Sequence, residues 1–140
     1  HSDPKKSTGI YITLLGSLGT AYEKSGDADS AFYYQEQALS MARENDLPEE
    51  EARALVNMAS LTSETDPSKS LAFLDEALTI TERIQQLNLM TEVYEAMIGL
   101  HREANDFEQA LLLFTVGSLD LPPAAVAGAA VVLFAWRMAK

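Results

Sequence analysis

Three segments of the 140-residue chain repeat one layout, and a repeat constrains the fold more than any single motif. The first runs Leu15, Leu18-Gly19, Tyr22, a break at Gly26-Asp27, then Ala31 and Ala38-Leu39. The second has Leu55, Met58-Ala59, a break at Asp66-Pro67, Leu74 and Ala77-Leu78; the third has Tyr94, Met97-Ile98, His101, a break at Asn105-Asp106, Ala110 and Phe114. Aligned on Ala31, Ser70 and Ala110, the spacings are 39 and 40. Apolar residues three and four apart on either side of each break describe two amphipathic helices joined by a tight turn.

The breaks have physical causes. Gly26 suits the left-handed backbone that ends a helix, and Asp27 can accept from the free amides of the next one. Asp66 caps while Pro67 occupies a first turn, where its missing N–H costs nothing. Pro48 followed by Glu49, Glu50 and Glu51 sets three carboxylates at the positive end of a helix dipole. The spacing predicts helices over 8–25, 28–45, 48–64, 67–86, 89–104 and 107–116, with residues 1–7 as a disordered or foreign lead. Gly19, Ala31, Ala38, Ala59, Ala77 and Ala110 fall where helices cross closely, and Leu15, Tyr22, Leu55, Leu74, Tyr94 and Phe114 fill the spaces between. A lone hairpin could not bury this face, so the hairpins must stack.

In these residues the chain resembles the tetratricopeptide repeat proteins over about 8–114, most closely in the first unit, where Gln35 takes a slot usually aromatic. Thr62 and His101 take the tyrosine slot in later units. Units of 39–40 are similar to the longer repeats of bacterial regulators and sensor proteins. The resemblance implies an all-α, right-handed solenoid of three hairpins, followed here by an apolar C-terminal helix. It also implies a protein or peptide partner, bound in a groove lined by the first helices. The groove residues it points to are Thr13, Gly16, Thr20, Arg53, Val56, Asn57, Ser60, Glu92, Glu95, Gly99 and Arg102, each of which could equally be plain solvated surface. Chaperone-binding members clamp a terminal carboxylate with two lysines, two asparagines and an arginine. Here Asn57 matches, whereas Gly16, Thr20, Glu92 and Ala96 fill other clamp slots. Glu92 and Glu95 would repel a carboxylate, so a ligand carrying Arg or Lys fits better.

Charge agrees with a protein partner. The chain has 21 acidic and 10 basic residues, and 20 of the acids but 8 of the bases fall within residues 1–114. Such a body would be repelled by phosphate backbones, which argues against nucleic acid. With no cysteine, disulfides and thiolate metal sites are excluded. No phosphate-loop, dinucleotide, zinc-protease or calcium-loop pattern occurs, so neither a catalytic site, a cofactor nor a metal is expected. His101 reads as a packing residue, and Asp27 and Asp29 as turn and cap residues. The lead His1-Ser2-Asp3-Pro4-Lys5-Lys6 has no initiator Met and reads as a processed end or the edge of a longer piece.

The tail differs from the repeats. Residues 121–136 carry no charge and are followed by Arg137 and Lys140. Three readings stand for 117–140: a docking helix that fills a groove of its own or a neighbouring copy, using Ala124, Gly128 and Val132 for close approach, the start of a membrane anchor over 121–138, or a segment foreign to the repeats. As a wall for a small apolar ligand, it would use Val126, Leu133 and Trp136. A cytoplasmic, self-associating protein is the expectation from the first reading; membrane-held repeats outside the cytoplasm follow from the second. The function expected is therefore a peptide-binding scaffold or sensory input of a larger signalling protein, with a sensor of apolar ligands as the alternative.

Overall fold

The computed structural model describes residues 3–103. Five helices follow in order: α1 (Pro4–Lys24), α2 (Ala28–Glu44), α3 (Pro48–Thr62), α4 (Pro67–Ile84) and α5 (Leu87–Glu103). They form two hairpins, α1–α2 and α3–α4, with α5 packed on α4 and also touching α3. Successive first helices α1, α3 and α5 therefore lie side by side in an all-α solenoid. The expected helix over 107–116 and the apolar segment 117–140 lie outside the described residues.

The start of α1 corrects the expectation for residues 1–7. Residues 4–7 belong to the helix, because Asp3 caps it by accepting from the Lys5 amide at 3.0 Å and Pro4 stands in the first turn. This is the same acid-proline device that opens α4, where Asp66 accepts from Lys69 N at 3.1 Å ahead of Pro67. Asp27 caps α2 through Ser30 N at 3.0 Å. Helix α3 begins at Pro48 without a side-chain cap, its first turn holding Glu49, Glu50 and Glu51.

Three helix ends share one closure. Gly26, Asp46 and Gln85 have φ of 89°, 52° and 54°, and the residue after each donates back five positions, Asp27 N to Tyr22 O, Leu47 N to Ala42 O and Gln86 N to Thr81 O. Only Gly26 is free of the side-chain penalty in this conformation. At Asp46 and Gln85 the surrounding hydrogen bonds hold an ordinary residue there.

The core runs continuously through the stack. Ile12 of α1, Ala38, Leu39 and Ala42 of α2, Leu55, Met58 and Ala59 of α3, Leu74, Ala77 and Ile80 of α4, and Leu89, Val93, Met97 and Leu100 of α5 form one buried cluster. Fully burying a side chain such as Leu55 or Leu74 contributes about 1.5–3 kcal/mol each. The crossing positions are small, as the repeat pattern requires: Gly19, Ala31, Ala59 and Ser70 are all buried. Ser70 fills an alanine slot because its hydroxyl donates to the Ala59 carbonyl at 2.7 Å. Outside the core, Arg43 at the end of α2 bridges Glu51 of α3 and Glu76 of α4. Lys69 of α4 sits over the rings of both Phe32 and Phe73, 5.0 Å and 5.8 Å from their centroids.

Candidate peptide-binding groove

The 3.6-residue period puts Thr13, Gly16 and Thr20 on one side of α1, and Arg53, Val56, Asn57 and Ser60 on the matching side of α3. Where α1, α2 and α3 meet, Thr13, Gly16, Thr20, Gln35, Arg53 and Asn57 line a cleft of about 300 Å³, with Ile12 and Ala38 also in its wall. A second cleft of about 390 Å³ lies between α3 and α5, lined by Val56, Asn57, Ser60, Ala96 and Leu100. Asn57 borders both, so the two clefts follow one another along the first helices.

A buried hydrogen-bond relay shapes the first cleft. Gln35 is 1 % exposed, donates from Nε2 to the Gly16 carbonyl at 2.9 Å, and accepts from Asn57 Nδ2 at 3.3 Å on Oε1. The Gly16 oxygen also accepts from the Thr20 hydroxyl at 3.1 Å. Such a relay is stable only when each buried polar atom is satisfied, and no buried side-chain nitrogen or oxygen among the described residues lacks a partner. Gly19 makes room for it. A Cβ there would stand 2.7 Å from Gln35 Nε2 and 3.1 Å from the Ala31 carbonyl oxygen.

The remaining groove candidates divide by helix. Thr13 is exposed and bonds its own helix at Gly9 O, 2.9 Å away. Arg53 is exposed and paired with Glu49 at 2.9 Å, which holds its guanidinium along α3. Ser60 reaches back to Glu23 of α1 at 3.4 Å. Glu92, Glu95 and Arg102 are exposed on α5, outside the lining of both clefts, and Gly99 is half-buried there. Thus the structure gathers Thr13, Gly16, Thr20, Arg53 and Asn57, places Val56 and Ser60 one cleft further on, and leaves the α5 group apart.

Gln35 is the lining residue that groove reasoning missed. Its signal was present as a lone amide in a usually aromatic slot, between Ala31 and Ala38 on a buried stripe. His101 is half-buried in the last turn of α5. Among the described residues, no group of three or more His, Cys, Asp or Glu is placed to hold a metal ion. No described helix is long and apolar enough to cross a membrane. The residues assigned to self-association or a ligand wall, Ala124, Val126, Gly128, Val132, Leu133 and Trp136, lie outside the described residues.

No curated protein sequence gives a significant match to the chain. The family model of the tetratricopeptide repeat matches residues 10–83, more than half of the chain and nearly all of the two complete hairpins. Repeats of this family generally mediate protein–protein interaction or scaffolding and are typically non-enzymatic. By its repeat pattern, its stacked hairpins and this match, the chain belongs to the tetratricopeptide repeat family.

Proposed function

We propose that the chain binds an extended peptide segment of a partner protein along α1, α3 and α5, as a scaffold or sensory input of a larger signalling protein. The observation that carries this reading is the pair of successive clefts joined at Asn57. Packed helices stand about 8–10 Å apart, and a peptide in the extended polyproline-II form has three residues per turn and advances about 3.1 Å per residue, so it would seat residues i and i+3 on one face in neighbouring clefts. Threonine hydroxyls and the Asn57 amide offer hydrogen bonds to its backbone. Ala38, Val56 and Leu100 supply apolar wall for small side chains. Glu92 and Glu95 on the exposed side of α5 favour a ligand with Arg or Lys towards that end. The signalling assignment draws on the likeness of the long repeats to those of bacterial regulators.

Random peptides displayed on phage and selected on the immobilised full chain test this. Enriched sequences should carry a basic residue a few positions from a small apolar one, and should lose at least about ten-fold in affinity to Thr13→Arg or Ser60→Arg, which fill the clefts from exposed positions. Absence of enrichment, or binding indifferent to both substitutions, would sink the reading.

A further inference from the structure

The hydrogen bonds lining the first cleft run in one direction, and a single backbone carbonyl sets it. The Gly16 oxygen can only accept, so Gln35 must turn its Nε2 towards it, at 2.9 Å. That leaves Gln35 Oε1 for Asn57, which must therefore donate from Nδ2, at 3.3 Å. Asn57 lines the cleft, and the end of its amide that the relay leaves unused is the oxygen. Thr13 and Thr20 spend their hydroxyl hydrogens on the carbonyls of Gly9 and Gly16 in their own helix, at 2.9 Å and 3.1 Å, and keep only lone pairs. Glu50 adds a carboxylate to the lining and forms no ion pair among the described residues. Arg53, the cation among the described lining residues, is already held by Glu49.

We infer that the first cleft is the subsite for the charged end of a basic side chain, an ammonium or guanidinium. The inference rests on the groove reading and names what its first cleft takes. A main-chain group brings an oxygen with each N–H, and that oxygen would meet a lining whose donors are largely engaged. A carboxylate would face Glu50 and the Asn57 oxygen. An ammonium or guanidinium brings donors alone, and bonds between a charged donor and these acceptors are the stronger kind. The floor suits the rest of such a side chain. Ile12, Ala38 and Ala54 are buried apolar residues in the wall of the cleft, against which a methylene stem can lie. The net charge of −11 draws cations towards the surface at longer range. This basic position is additional to the one at Glu92 and Glu95, which lie towards the other end of the groove. Gln35 is then a positioning residue: it touches the ligand's acceptor and fixes which way that acceptor faces.

Three small probes separate charge from hydrogen bonding. Butylammonium copies the end of a lysine side chain, butyrate puts a carboxylate on a similar stem, and tetramethylammonium carries the charge without an N–H. Each is titrated into the nitrogen-15-labelled full chain at neutral pH and constant ionic strength, and followed by the side-chain amide signals of Gln35 and Asn57. Butylammonium should shift both signals saturably and bind at least about ten-fold more tightly than either other probe. Glu50→Gln should weaken it at least about three-fold. Gln35→Leu frees the Asn57 amide to turn, so the preference for butylammonium over butyrate should shrink at least about three-fold, with helical circular dichroism unchanged. A purely structural Gln35 would instead weaken both probes alike. Butyrate or tetramethylammonium binding as tightly as butylammonium overturns the inference, as does the absence of a saturable shift at these amides. A preference indifferent to both substitutions overturns it too. Peptide selection is read separately. Enriched peptides without a basic residue, together with no butylammonium binding, sink this inference and leave the groove reading standing. Selective butylammonium binding with no enriched peptide supports the subsite and sinks the groove reading.

Discussion

Gln35 and Gly19 form a matched pair, one filling the space that the other leaves. Gly19→Ala would ordinarily help a helix by nearly 1 kcal/mol. Here the new methyl would displace a buried amide that bonds Gly16 and Asn57, and would press on the Ala31 carbonyl. The net expectation is destabilisation of about 1–3 kcal/mol, read as a lower urea midpoint with unchanged slope. At Gln35 the size of the replacement decides the outcome. Gln35→Leu removes the relay but keeps most of the volume, while Gly16 O retains the Thr20 hydroxyl, so stability should shift by less than about 1.5 kcal/mol. Gln35→Ala leaves a cavity and should cost about 2–4 kcal/mol. Equal losses for the two would show that the hydrogen bonds, not the filled volume, matter at this position. Small crossing residues such as Ala31 and Ser70 were legible from spacing alone. The Gln35 relay was not, because its partners come from α1 and α3 and no local pattern joins them.

Helix boundaries were legible wherever the chemistry is local. Gly26-Asp27, Pro48 and Asp66-Pro67 begin or end helices as their types dictate, and Asp3-Pro4 follows the same rule although the helix was expected to start later. The turn at Asp46 falls in the gap expected between 45 and 48, and aspartate takes positive φ more readily than most residues; the turn at Gln85 was hidden inside the helix expected over 67–86, since glutamine does not favour positive φ and the bond that closes the turn runs back five positions. The cap of α2 carries a pH signature. Hydrogen bonds from the Ser30 hydroxyl and then from its backbone N–H hold the Asp27 carboxyl below its ordinary pKa. A depressed folded-state pKa gives stability that is complete above the unfolded value, near 3.9, and is lost as pH falls through the lower folded value. Asp27→Asn keeps a capping acceptor but not this dependence. The stability gap between the parent chain and Asp27→Asn, followed by thermal unfolding from neutral to acid pH, should therefore narrow as the solution becomes acid. A constant gap would mean the cap is not charge-assisted.

Each hairpin is held by its neighbours, so damage in the middle of the stack should be felt throughout. Leu55 is fully buried in α3, which contacts α1, α2, α4 and α5. Leu55→Ala should cost about 2–5 kcal/mol and lower the unfolding temperature of the whole described region together, seen as one shifted transition by circular dichroism and by Tyr absorbance. Two separated transitions would instead mean that the hairpins melt independently. The order of the hairpins was legible because the repeat enforces it. The exposure of Ile10, Tyr11 and Leu14 among the described residues was not, because exposure depends on what packs beside a helix. The two seams between hairpins also differ in kind. Between α2 and α3 lie the Asn57–Gln35 bond and the Arg43 bridge, which fix angle as well as distance. Between α4 and α5, Met90 and Met97 are buried, unbranched side chains that re-pack at little cost, with the Tyr94 hydroxyl donating to Glu82 at 3.3 Å. Under a bending load the first seam behaves as a locked joint and the second as a compliant one. Changes in curvature of this rod would concentrate at α5, opening or narrowing the cleft at Ala96 and Leu100 while the cleft at Gln35 keeps its width.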